Sequence, residues 1–330
     1  MKILSETTAV PSNLSDLCGK LVKALDESVE RNMADGILLS GGLDTSILAC
    51  LAHKRVKLKA FTVAFRGAPA PDVEYATLIA NRFRLKHLVY HFDENELYDA
   101  IRVVVKTMSS FDPMEIRNSV TVYVGLKCAG KNGANTVMTG DGCDELFAGY
   151  SFLYGLKKEE LNLALQKLWG VMHFSSVPLA DVLRTEVKLP YLDPAFKKFA
   201  MEIDPDLKVR SEGGRTWGKW VLRKAFENVL PPEVAWRVKM PIEFGSGTSV
   251  LTNLFSSNIS DAELEEKRAK YLEEDRVTIR DKEQLFYYEV YRSVVGPPRP
   301  TDFEGKICPF CNSSAPSTST YCRRCGGHPI

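Results

Sequence analysis

No stretch of this 330-residue sequence is apolar for long enough to cross a bilayer. Its opening residues, Met1-Lys2-Ile3-Leu4-Ser5-Glu6, lack the apolar core of a leader. Those two absences predict a cytoplasmic protein. Charge of one sign is also missing: the net charge of +1 gives no global reason to bind nucleic acid or an anionic membrane. The chain has no internal repeat. Also absent is Gly-x-x-x-x-Gly-Lys-Ser/Thr, with the lysine by which ordinary ATPases grip phosphate. At 45% hydrophobic and 26% charged residues, what remains is an ordinary globular composition with room for two domains and an appendage.

A different phosphate cradle is present. Ser40-Gly41-Gly42-Leu43-Asp44-Thr45-Ser46 follows the apolar run Gly36-Ile37-Leu38-Leu39, reading as strand, glycine turn and helix start. Adjacent glycines let several amide N–H groups converge on one anion at a helix N-terminus. Ser40, Thr45 and Ser46 add hydroxyls, and Asp44 is placed to hold a metal ion against the same phosphates. A second strand and turn, Thr136-Val137-Met138 running into Thr139-Gly140-Asp141-Gly142-Cys143-Asp144-Glu145, carries three carboxylates in five residues. Such acids repel one another unless a cation lies among them. Flanking Leu146-Phe147 argues against a merely solvated loop.

The first loop resembles the PP-loop of ATP pyrophosphatases. The pair of loops resembles the synthetase domain of asparagine synthetases and the related β-lactam synthetases. Further resemblance lies in Phe111-Asp112-Pro113-Met114-Glu115-Ile116-Arg117 and in Glu186-Val187-Lys188-Leu189-Pro190-Tyr191-Leu192-Asp193. It continues in Lys219-Trp220-Val221-Leu222-Arg223 and from Leu230 to Lys239, so that it spans residues 14 to 295 in the family's order. It implies a doubly wound parallel α/β sheet of the ATP-pyrophosphatase type, followed by a mostly helical region, to which the cysteines of the tail add a small zinc ribbon. Apolar runs at 36–39, 59–65, 87–92 and 136–139 read as strands. Leu14 to Arg31 and Val73 to Phe83 read as helices, and strand signals fade after Tyr150. The expected organisation is a nucleotide-binding core over 1–150, a helical part over 151–295, a linker over 296–306 and the ribbon over 307–330.

The resemblance implies ATP and Mg2+ as cofactors, with Asp44 and Asp144 holding the metal. The nucleotide-binding set is Leu38, Ser40, Gly41, Gly42, Asp44, Thr45, Ser46, Val63, Gly140 and Asp144. Lys219 and Lys239 match lysines that meet phosphate oxygens, and Asp141 and Glu186 match acids that orient and deprotonate the nucleophile. Asp141 stands where asparagine synthetases have a glutamate, a side chain one methylene longer. The chemistry implied is AMP-forming amide synthesis from a small-molecule carboxylate, by default aspartate, and ammonia. Glutamine-dependent relatives begin with an amidohydrolase domain. Only residues 1–35 precede the first strand here and residue 2 is lysine, so ammonia is expected to come free or from a separate glutaminase or other amine donor.

Eight cysteines divide in two. Cys308-Pro309-Phe310-Cys311 and Cys322-Arg323-Arg324-Cys325 are two knuckles whose four thiolates select structural zinc over harder cations. Cys18, Cys50 and Cys128 read as small core residues. Cys143 sits inside the second loop where the family has serine. With the knuckles it keeps open a tRNA-thiolation reading, in which Cys143 carries sulfur and Arg323 and Arg324 touch phosphate. Amidation of another acid, a non-catalytic nucleotide-binding subunit and a homo-oligomer also stay open. Met240 to Thr248 is either a mobile cover or a solvent loop.

Overall fold

The computed structural model describes residues 13–301 and 305–330. Its sheet has five parallel strands in the order β3-β2-β1-β4-β5: β1 Gly36–Leu38, β2 Lys59–Phe65, β3 Lys86–Phe92, β4 Thr136–Met138 and β5 Glu186–Lys188. The interior of β2 is buried at every position, which is why its sequence shows no polar alternation, and its one polar residue, Thr62, donates to the Leu39 carbonyl. Helices α1 Leu14–Arg31, α2 Leu43–Ala52, α3 Asp72–Arg82, α4 Glu94–Met108 and α5 Pro113–Lys131 cover the two faces. Leu21, Leu25 and Val29 of α1 recur at helical spacing and are fully buried. Asp93 caps α4 with a reciprocal Glu96 contact, and Asp112 caps α5 with Pro113 at its first position.

Two apolar layers result. One packs α4, α5, the helix Lys282–Val294 and the cysteine tail; the other packs α1, α2, α3 and the helices Pro194–Glu202 and Trp220–Phe226. The chain winds outward through β1, β2 and β3, then returns so that β4 lies on the other side of β1. Strand order therefore reverses between β1 and β4, and a crevice opens beyond their carboxyl ends.

The stretch read as helical after Tyr150 differs in two places. Glu186–Lys188 joins the sheet beside β4, too short to show a strand period in sequence, and Val209–Glu212 with Arg215–Gly218 form a hairpin, β6 and β7. Among the described residues no helix is long and apolar enough to cross a membrane.

Candidate active site at the β1–β4 crevice

The first loop leaves β1 at the crevice. Gly41 has φ +65°, and a Cβ there would lie 2.3 Å from the Ala76 nitrogen, so α3 can approach only a glycine. Gly42 begins α2 without a side-chain cap, leaving the helix's first N–H groups directed at the crevice. Ser40 Oγ lies 3.2 Å from both Thr45 Oγ1 and the Gly42 nitrogen, and the buried Ser46 hydroxyl has no hydrogen-bond partner among the described residues. Arg237 locks the outside of this turn. Its guanidinium donates to the Ser40 carbonyl at 3.2 Å and to Asp72 at 2.7 Å, and stacks over Tyr75.

The second loop meets the first through a chain of charge. Lys219 Nζ lies 2.6 Å from both oxygens of Asp44 and 2.7 Å from Asp144 Oδ1, while Lys239 Nζ lies 2.8 Å from Asp144 Oδ2. The Lys219 side chain is only 4% exposed, that of Lys239 32%, so the chain runs from the protein interior to solvent. Burial alone would raise the Asp144 carboxyl, but the Lys219 and Lys239 ammonium groups outweigh it and hold it well below the usual range. Burial opposes the charge on Lys219, and Asp144 and Asp44 reverse that effect, keeping the amine protonated.

Backbone geometry aims Lys219. It follows β7 in the left-handed region at φ 56°, its N–H donates to the Phe147 carbonyl at 2.9 Å, and it begins the helix Trp220–Phe226. A non-glycine residue there is strained, and it persists because both flanks are fixed. Gly149 makes room: a Cβ on it would lie 1.8 Å from Asp144 Oδ1 and 2.4 Å from Lys219 Cε. The Tyr191 hydroxyl donates to the Asp44 carbonyl at 3.0 Å.

The structure thus brings together Asp44, Asp144, Lys219 and Lys239 beside the Ser40–Ser46 turn, with Gly140 against Asp44 and Thr45. Leu38 ends β1, packed against Gly125 of α5, and Val63 lies buried in β2 on that same side. Asp141 accepts hydrogen bonds from Thr139 at 2.9 Å and Ser176 at 2.5 Å; burial raises its carboxyl, against the two hydroxyls. Glu186 is not brought in. It opens β5 opposite Thr136, the first residue of β4, at the far end of the sheet from the crevice, and its exposed carboxylate pairs with Lys188 at 2.6 Å.

Cys143 is fully buried beneath Asp44, and burial, then the Asp44 charge, pushes its thiol far up. Within Met240 to Thr248 the Gly245-Ser246-Gly247 turn is no solvent loop, while Met240, Ile242 and Phe244 are exposed. All three residues of the turn are buried, Ser246 accepts from the Phe65 N–H at 2.9 Å, and a Cβ on Gly245 would strike Asp72. Ser176, Tyr191, Arg237 and Gly149 were not singled out by sequence. Tyr191 and Arg237 lie in segments quoted for the resemblance and Gly149 lies two residues past Phe147, whereas Ser176 lies in a helix start with no chemical signal.

In the tail, the sulfurs of Cys308, Cys311, Cys322 and Cys325 lie within 4.8 Å of one another. The Cys308–Cys325 and Cys311–Cys322 separations of 3.7 Å match the edge, about 3.8 Å, of a tetrahedron with Zn–S bonds of about 2.3 Å. All four are free thiols, so the residues fit zinc and not a disulfide pair. The tail is docked: Arg280 donates to the Gly326 and Cys325 carbonyls at 2.9 and 3.1 Å, and Tyr321 bonds Asp112. Arg324 donates to Tyr291 at 2.5 Å, while Arg323 is exposed and donates to the Val171 carbonyl.

Fold and crevice define an α/β protein of the phosphate-loop, ATP-pyrophosphatase type with a cysteine-bound tail. A family model described as Asparagine synthase matches residues 20–180 and 179–295, and the chain belongs to that family. It is 31% identical over 313 residues to asparagine synthetase B [glutamine-hydrolyzing] of Escherichia coli, covering 87% of this chain and 55% of that protein. It is 30% identical over 314 residues to a probable asparagine synthetase [glutamine-hydrolyzing] of Dictyostelium discoideum, covering 85% and 54%. The chain spans about half the length of the curated relatives it matches. Among solved structures, an NMN synthetase from Francisella tularensis aligns over 86% of this chain and 94% of its own, with a TM-score of 0.40 and 13% identity.

Proposed function

We propose that this chain is an ATP-dependent, AMP-forming amide ligase that adenylates a carboxylate, by default aspartate, and passes the acyl group to ammonia. The observation that carries this reading is the continuous chain Asp44–Lys219–Asp144–Lys239 beside the Ser40–Ser46 turn. In the first half-reaction a carboxylate oxygen of the acid attacks the α-phosphorus and pyrophosphate leaves. Converging N–H groups of the turn hold the leaving pyrophosphate, and Lys219 and Lys239 offset charge that builds on it. Two carboxylates already sharing one ammonium ion form the hard oxygen pair that suits Mg2+. Asp44 and Asp144 would hold it, and when bound it supplies neutralisation of phosphate charge.

In the second half-reaction ammonia attacks the acyl carbon. The buried Cys143 thiol argues against a sulfur carrier, and the hold of Tyr291 on Arg324 against tRNA contact through that side chain. Four thiolates close the tail site, so zinc there is structural.

The test is to measure AMP and pyrophosphate from the purified full chain with ATP and Mg2+, adding L-aspartate, ammonium chloride, glutamine and bulk tRNA singly and together. Stoichiometric AMP, pyrophosphate and asparagine from aspartate plus ammonium are expected, with no stimulation by tRNA. Pyrophosphate appearing only with tRNA, or with no acid dependence, would refute the reading.

A further inference from the structure

Asp141 offers its two oxygens unequally. Thr139 Oγ1 at 2.9 Å and Ser176 Oγ at 2.5 Å both donate to Oδ2, and among the described residues Oδ1 accepts no hydrogen bond. Both donors are themselves buried, Thr139 5% and Ser176 2% exposed, so water does not compete for them. Their backbones are fixed. The Thr139 N–H donates to the Lys188 carbonyl at 3.1 Å just past the β4–β5 pairing, and Ser176 begins the helix Ser176–Leu183, whose Leu179 and Ala180 are buried in the core. The neighbouring residue, Gly140, lies against Asp44 and Thr45, so Asp141 follows directly on the contact between the two loops.

Two hydroxyl donors on one oxygen fix the rotation of the carboxylate and leave the other oxygen as its free acceptor. We propose that Ser176 and Thr139 are positioning residues that turn Asp141 so that Oδ1 takes the proton released when the amine attacks. This rests on the amide-ligase reading above. As the nitrogen–carbon bond forms, the carbon–oxygen bond to AMP breaks with its electron pair leaving on AMP, and one N–H proton passes to Oδ1 and on to water. The pairing also bears on the shorter side chain at this position. A carboxylate one methylene short can be held in place by two hydroxyls where a longer one would have to be held differently.

The test separates the two half-reactions in the full chain. Aspartate-dependent exchange of labelled pyrophosphate into ATP reads adenylation, and AMP formation against ammonium chloride concentration reads amine attack. Ser176→Ala is expected to leave exchange within about twofold and raise KM for ammonium about tenfold, the size of one lost charge-assisted hydrogen bond. Ser176→Thr, which restores the hydroxyl, is expected to return KM to near the parent value. Should Ser176→Ala fail to fold, Thr139→Val removes the other donor to the same oxygen and carries the same expectation. An unchanged ammonium KM, or exchange falling in step with it, overturns the proposal while the ligase reading stands. If the parent protein itself shows neither exchange nor ammonium-dependent AMP, the ligase reading fails and the proposal with it.

Discussion

Lys208 is costly to keep buried, and replacing it with methionine should stabilise the protein. It is fully buried, its Nζ has no hydrogen-bond partner among the described residues, and its neighbours are the rings of Trp169 at 4.9 Å and Phe147 at 6.0 Å. Burial pulls its amine down to about 7, against a small upward pull from Asp204. Between that value and the ordinary lysine range the unfolded chain holds a proton that the folded chain lacks, so stability rises with pH across this window. Seen the other way, the lysine's penalty is full below pH 7 and gone above the unfolded value. With about 1.4 kcal/mol for each tenfold loss of proton affinity on folding, Lys208→Met should gain about 4 kcal/mol at pH 7, about 2 at pH 9 and about 1 at pH 10. At roughly 2 °C per kcal/mol for a chain of this size, the melting temperature should rise by about 8 °C at pH 7. Urea unfolding of both proteins at each pH is the assay. A gain that does not shrink as pH rises, or no gain, would refute the argument that a proton is lost on burial. The site lies behind the second loop, where Phe147 accepts the Lys219 N–H, so ligase activity of the variant reports whether that support is preserved.

Other outcomes follow from the same geometry. Gly149→Ala should abolish ATP–pyrophosphate exchange, by at least about a hundredfold, because its Cβ would occupy the space of Asp144 Oδ1; a variant with normal exchange would show that the ion-pair chain is dispensable. Cys143 should resist alkylation by iodoacetamide in the native protein and react once unfolded, as a buried thiol with a raised pKa must; rapid native labelling would reopen the sulfur-carrier reading. Elemental analysis should find one zinc per chain. Cys322→Ser should lose it and lower the melting temperature, since the Cys325 and Gly326 carbonyls that Arg280 and Gln284 hold belong to the same knuckle.

What sequence could reveal of this protein follows from the range of the physics involved. The glycine turns were legible because Gly41 tolerates φ +65° and a 2.3 Å approach that no other residue survives. The strands of 36–38, 59–65 and 136–138 were legible because burial on both faces leaves mostly apolar runs without polar alternation. The fifth strand was not, because three residues, Glu186-Val187-Lys188, carry no period and are held by pairing with β4 alone. That same short strand explains Glu186. A motif fixes which residues are near in sequence, but strand direction decides which end reaches the crevice, and Glu186 lies at the wrong end. Ser176 shows the converse. It is 35 residues from Asp141, in a helix start with nothing catalytic about it, and only the return of the chain past β4 brings its hydroxyl to the carboxylate. Local chemistry was therefore readable wherever the backbone itself is the ligand, as in the phosphate turn. It was hidden wherever two distant side chains must meet, and it is at such a meeting, on Asp141 Oδ2, that the acid inherited from the motif acquires an orientation.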